Sequence, residues 1–437
     1  MRAGGTLAAL VLALGFAGLS DRPLHAGEAD ETVSQTAFDA EAGWDEFEQT
    51  LRAKYAYIER DDMDVDAQLA RSRDLALKAR DKSSLRRILH QTSLTFSDPH
   101  LIVGPFEDDD YNIVMTSSDL AMSEIEGRAI VADVRRDSAA FRAGIRPGDE
   151  ILSIDGIPAS EAALRPYGPV LDDPTLLQRS YGLTLAANGK RVGTRSLTIR
   201  SAEDGKTRSL VLENPRSFAR AVNALPPVTL SFVGDEEELA VIRPNNSLGN
   251  NHTIAAFDTA IQRVLDEGSE AVILDMRETP SGGNTEVARS IIGHFTQELR
   301  PYQVHEIPAF EREFTVPRRF VEYVYPRNPN FAGQVYVLHG RWTGSMGEGI
   351  VIGMDAATNA ITIGSDMGDL LGGLWNYDLE ASGARLDLGG EALFHVDGTA
   401  REDYLADYEI PAASTAPDGS DPGIAAVLAL RSHGLQP

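Results

Sequence analysis

Two short strand-to-helix turns hold the residues of this sequence best placed to do chemistry. In the first, the apolar run Val335-Tyr336-Val337-Leu338 leads through Thr343-Gly344 to Ser345, where a helix begins. A serine there presents its hydroxyl at the end of a strand, and the unpaired N–H groups of the first helical turn face an incoming anion. In the second, Leu274-Asp275-Met276-Arg277 ends a buried strand and the glycine pair Gly282-Gly283 follows. Glycines let backbone N–H groups approach a substrate carbonyl closely. Together the turns offer a nucleophile, Ser345, and an oxyanion hole from the N–H groups of Met346 and of Gly282 or Gly283. Each such donor contributes about 3–4 kcal/mol to an acyl-transfer transition state. The same residues also read as an N-cap serine and a plain turn, and spacing alone leaves both readings open.

Composition narrows the chemistry. The 437 residues contain no cysteine, which excludes disulfides, thiolate metal sites and cysteine nucleophiles. No His-rich cluster lies in either turn, so no metal and no cofactor is expected. The formal net charge of −26 disfavours nucleic acid and anionic membrane surfaces as partners. A hydrophobic fraction of 42% and a charged fraction of 24% are those of a soluble globular chain. At the N-terminus, Arg2, the apolar stretch Leu7 to Leu19 and the exit Leu24-His25-Ala26 have the parts of a secretory signal over residues 1–26. The apolar run falls short of the roughly 20 residues of a membrane span. The expectation is a periplasmic or secreted protein without stable membrane insertion once the signal is removed. Oligomeric state is left open.

Three kinds of element must position the turns. Over residues 35–105, Trp44, Phe47, Leu51, Tyr55 and Ile58 recur at helical spacing, followed by Leu69, Leu75, Leu85 and Leu89, and predict a helical domain. Over 111–215, short strands alternate with glycine turns. The run from Ile130 to Val134 leads into Ser138-Ala139-Ala140 and Ala143-Gly144-Ile145. Next comes Pro147-Gly148-Asp149, then a strand ending in Asp155-Gly156. This pattern resembles a PDZ domain, closed by a hairpin around Asp204-Gly205. The segment 160–190 is longer than such a domain needs and reads as an insertion. A PDZ-like module is expected to capture an extended peptide by strand addition. From 216 to 437, strands at 239–242, 271–275, 335–338 and 361–364 alternate with helices, which predicts a layered α/β core.

The turns and their order resemble the carboxyl-terminal processing (tail-specific) protease family. The glycine turn is similar to its Asp-Leu-Arg-x-Asn-x-Gly-Gly signature, with Thr279 in place of Asn. The serine turn is similar to Thr-x-Ser-x-x-x-Glu, carried by Thr343, Ser345 and, one position displaced, Glu348. Ser97-Asp98-Pro99-His100 is similar to the family's Asp-x-His element, and Tyr55-Ala56-Tyr57 precedes it. The match runs over roughly residues 40–412. It implies a crotonase/Clp-protease-like core and serine endopeptidase activity on proteins or peptides, with cleavage near C-termini as one form.

The family has a Ser/Lys version and a Ser/His/Glu version, the latter in the tricorn core. The five lysines, Lys54, Lys78, Lys82, Lys190 and Lys206, all precede the core. The resemblance therefore implies His100 as general base, with Glu402 as third member and Asp98 as the rival orienting acid. One departure is Pro99, where the tricorn type has serine. Activity would then rise with pH through roughly 6–7, the ordinary histidine range. The alternative is an inactive relative that binds peptides or lipophiles.

Overall fold

The computed structural model describes residues 38–112, 115–234 and 239–432. The expected export signal, 1–26, lies outside the described residues.

Three helices, Ala40–Lys54, Val65–Ala76 and Lys82–Leu94, open the described chain. Asp39, Asp64 and Asp81 cap them, each carboxylate accepting a first-turn N–H. Their apolar faces, with Trp44, Phe47, Leu51, Leu85 and Leu89, do not close a core alone. Leu379, Ala384, Leu386 and Leu388, almost three hundred residues later, complete it. Just after the helices, Ile102–Gly104 pairs antiparallel with Arg385–Asp387. His100 is thereby fastened to the far end of the chain.

The PDZ-like module is an antiparallel sheet. Its strands run in the order Leu120–Ile125, Arg128–Val134, Glu150–Ile154, Arg195–Arg200, Thr207–Leu212. The segment read as an insertion contains the helix Leu176–Asn188, which lies along the edge strand Leu120–Ile125. Side chains one helical turn apart cap that edge. Ser180 Oγ accepts the Glu124 N–H at 3.0 Å, Thr184 Oγ1 accepts Met122 N–H at 3.1 Å, and Asn188 Oδ1 accepts Leu120 N–H at 3.2 Å. Four helical residues rise about 6 Å and two strand residues about 6.7 Å, so the two ladders stay in step. The edge donors that an added peptide strand would use are already taken, contrary to the expectation of strand addition.

The core is a six-stranded sheet in the order Tyr408–Glu409, Ile361–Gly364, Gln334–His339, Ala271–Asp275, Leu239–Pro244, Val228–Val233. All neighbours are parallel except the last pair. Ala271–Asp275 is buried at every position, as a strand covered on both faces must be. The helices His252–Asp266, Thr285–Gly293 and Met346–Ala357 pack against it around Phe257, Ile291 and Ile350. The sequence pattern predicts the strands at 239–242, 271–275, 335–338 and 361–364 and the helices between them, but not the outer strands Val228–Val233 and Tyr408–Glu409. It did not predict a second sheet, in which Ala384–Phe394 pairs with Ile102–Gly104, Arg300–Glu306 and Gly373–Leu379, and Arg319–Val324 extends the Arg300–Glu306 edge.

Candidate active site

Asp275 and Leu338 are register partners at the carboxyl ends of two adjacent parallel strands, so both turns leave the sheet at the same edge. Ligands of open α/β sheets bind at that edge. The turns stay paired beyond the strands. Thr279 N–H reaches Trp342 O at 3.2 Å and Gly344 N–H reaches Thr279 O at 3.0 Å. The Thr343 hydroxyl ties them further by donating to Met276 O at 3.1 Å.

Ser345 precedes the helix Met346–Ala357 with φ 53° and ψ −114° and makes no side-chain cap. A positive φ outside glycine costs on the order of 1–3 kcal/mol and persists only where neighbours impose it. Here it withdraws the hydroxyl from its own helix and turns it toward the glycine pair. A Cβ on Gly282 would stand 2.6 Å from Ser345 Oγ, and one on Gly283 would stand 2.3 Å from the Leu248 backbone. Both positions therefore need glycine for close approach. Among the described residues, no backbone acceptor takes the N–H of Gly282, Gly283 or Met346. The structure thus gathers Ser345, Gly282, Gly283 and Met346 in one place.

Arg277 braces this edge from beneath. It bonds both oxygens of Asp275, both oxygens of Asp421 and the Ala413 carbonyl. Burial works against ionisation of Asp275, yet Arg243 and Arg277 hold its carboxyl well below the usual range. The PDZ-like module is fixed to both turns: the Trp342 indole donates to Ser118 Oγ at 3.0 Å, and Arg135 pairs with Glu278 at 2.7 Å.

His100 is buried at the end of the Ser97–His100 turn. Its Nδ1 lies 3.1 Å from the Leu371 carbonyl. A carbonyl only accepts, so Nδ1 carries the proton and Nε2 keeps its lone pair, the tautomer a general base requires. Burial, and then the charge of Arg401, push the imidazole down to about 4.

Neither expected acid bonds the ring. Asp98 accepts the His100 backbone N–H at 2.8 Å, the Tyr55 hydroxyl at 2.8 Å and Leu371 N–H at 3.2 Å. It locks the turn rather than the imidazole, and burial raises its carboxyl to about 6. Glu402, in the short 3-10 turn Arg401–Asp403, makes no hydrogen bond or ion pair with His100. Burial raises its carboxyl, and its charge is felt by Tyr57. The ring's orienting partner is thus a backbone carbonyl, which no residue pattern could display.

Arg401, which no motif of the sequence marks, is buried next to Ser345. It donates to the carbonyls of Ser345, Leu370 and Gly372 and forms an ion pair with Glu348 at 3.1 Å. Burial pushes the Glu348 carboxyl up, against the pull of Arg401. No described lysine bonds any group of this site: Lys54 pairs with Glu313, Lys82 with the Glu380 carbonyl and Lys206 with Asp204. A cavity of about 400 Å³ lies alongside, between Leu176, Leu177 and Tyr181 of the PDZ-like helix and Arg341, Gly368 and Asp369 of the core.

Residues 239–409 match the model of peptidase family S41, and residues 130–163 match that of a PDZ domain. None of the curated protein sequences matches the chain. Among solved structures, the chain is similar to a photosystem II D1 C-terminal processing protease, with 14% identity over 86% of this chain and 94% of that chain and a TM-score of 0.53. It is similar to mature CPAF complexed with lactacystin, with 14% identity, 87% and 95% coverage and a TM-score of 0.57. It is also similar to a peptidase of Parabacteroides merdae, with 13% identity, 90% and 96% coverage and a TM-score of 0.52. At these identities the likeness establishes the fold: the α/β core with its helical and PDZ-like companions.

Proposed function

We propose that this chain, a serine-type peptidase with an S41 core and a PDZ domain, is an exported endopeptidase of the Ser/His type. Ser345 Oγ attacks the scissile carbonyl and His100 Nε2 takes its proton. The negative charge on the carbonyl oxygen is held by the N–H groups of Met346 and of Gly282 or Gly283. His100 returns the proton to the leaving amine, which departs and leaves an acyl-enzyme on Ser345. Water then attacks the ester with His100 again as base, releasing the new carboxylate and regenerating the hydroxyl.

The observation that carries this reading is the pairing of Ser345, out of its own helix cap at positive φ, with the open N–H groups of Gly282 and Gly283. A histidine base fits a site that no described lysine enters, and the Leu371 carbonyl takes the orienting role expected of Glu402. Substrates are proteins or peptides, with the apolar wall of the neighbouring cavity suited to a substrate side chain. The signal-like pattern of residues 1–26 supports export to the periplasm or beyond the cell. Among the described residues no helix is long and apolar enough to cross a membrane.

The test is intact-mass spectrometry of the protein quenched during turnover of an ester-linked peptide. A mass increase equal to the acyl fragment, absent in Ser345→Ala, is expected. Turnover by Ser345→Ala at the wild-type rate contradicts the reading and leaves the inactive binding relative in its place.

A further inference from the structure

We propose that Arg401 is a positioning residue that holds the nucleophile and the base of this site in register. The proposal rests on Ser345 as nucleophile and His100 as base.

One guanidinium, 4% exposed, spans three backbone carbonyls from two separate segments. Nη1 donates to Ser345 O at 3.3 Å. Nη2 donates to Gly372 O at 3.3 Å and also to Leu370 O. Between these last two lies Leu371, whose carbonyl fixes the His100 ring and whose N–H is held by Asp98. The path from nucleophile to base therefore runs Ser345 carbonyl, Arg401, the 370–372 loop, His100.

Glu348 touches both middle members of this path. It pairs with Arg401 and its Oε1 accepts Leu370 N–H at 3.2 Å. Burial raises the Glu348 carboxyl to about 8 despite the guanidinium 3.1 Å away, so the three carbonyl acceptors do most to hold the Arg401 charge at this spot. The planar fork matters as much as the charge. Arginine has five donors in fixed directions, whereas a lysine ammonium on a flexible stem could not hold carbonyls of two segments at once. The positive φ of Ser345 is thus clamped through the residue's own carbonyl. Arg401 also acts on the imidazole electrostatically, opposed by Asp387, while Asp98 on the same turn bonds the His100 backbone N–H.

The experiment measures the rate of fluorophosphonate acylation at Ser345 as a function of pH, in the full chain, for wild type, Arg401→Gln and Arg401→Lys, with folding checked by circular dichroism. Arg401→Gln should acylate about 100-fold more slowly, the scale of an ångström-sized misplacement. Its acid limb should also move upward, because the charge that disfavours imidazolium is gone. Arg401→Lys should be slowed as well, with its acid limb unmoved, because the charge remains and the fork is lost. A loss of packing alone would lower the labelled fraction without moving the limb. A folded Arg401→Gln protein with wild-type rate and limb overturns the proposal. If that variant does not fold, Arg401→Lys decides: a wild-type rate overturns the proposal, and a slowed rate with an undiminished labelled fraction supports it. Absence of labelling at Ser345 in the wild type removes the nucleophile reading itself, an outcome distinct from an Arg401 variant that leaves normal labelling unchanged.

Discussion

Gly282 faces Ser345 so closely that a methyl group added to its Cα would stand 2.6 Å from the serine Oγ. The contact is with the side chain expected to do the chemistry, whereas the neighbouring Gly283 abuts the Leu248 backbone. The two glycines therefore separate function from folding.

Gly282→Ala should displace the Ser345 hydroxyl and cut turnover by about 100-fold, while leaving the melting temperature close to wild type. Gly283→Ala should instead lose about 1–3 kcal/mol of stability, the usual cost of overpacking. Peptide hydrolysis and thermal denaturation of the two variants check the contrast. Equal loss of stability in both would contradict it.

The pH dependence differs from the ordinary histidine expectation. His100 is pushed down to about 4 by burial, aided by Arg401 and opposed by the Leu371 and Gly372 carbonyls and by Asp387. A base with a lowered value is already neutral at mildly acidic pH, so kcat/KM should stay flat on descending through 6–7. It should fall only toward about 4, as the imidazole gains its proton. An acid limb centred in the 6–7 range would show that His100 is far better solvated than this structure has it.

The PDZ-like edge gives a third expectation. Ser180, Thr184 and Asn188 occupy the N–H groups of Glu124, Met122 and Leu120. Peptides with free and amidated C-termini should therefore be cleaved equally well. Thr184→Val leaves the buried Met122 N–H without a partner and should cost about 1–3 kcal/mol. Paired kinetics on the two peptide forms, with denaturant titration of the variant, measure both. A marked preference for the free acid would mean that the edge opens to a ligand.

Arg277 is expected to act on folding first. Arg277→Met strands the fully buried Asp275 with Arg243 as its one remaining cation and frees Asp421. Removing one partner of a buried pair typically costs about 3–5 kcal/mol. Denaturation should show that loss, and a fully stable but inactive variant would instead place Arg277 in the chemistry.

Much of this arrangement could be read from residue pattern, and the exceptions have physical causes. Continuous apolar runs such as 271–275 and 335–338 marked the buried parallel strands, and the glycine pair and Ser345 marked their turns. The second sheet escaped because the pairings that join its two local hairpins and its edge strand span long separations, as Ile102 does with Asp387 and His305 with Leu393. The orienting partner of His100 escaped because a carbonyl, unlike a carboxylate, belongs to every residue. Ser180, Thr184 and Asn188 stood at visible four-residue spacing, yet nothing in the pattern named the strand they cap. Arg401 adjoins the expected Glu402, and only the folded chain reveals that the arginine reaches Ser345.

The central claim is that Ser345 is a nucleophile activated by His100. The most direct measurement is peptide mapping of a fluorophosphonate adduct, with its rate of formation in wild type and in His100→Ala. A single adduct on Ser345 is expected, formed slower by orders of magnitude without the imidazole. No adduct on Ser345, or one that forms equally fast in a folded His100→Ala protein, would contradict it.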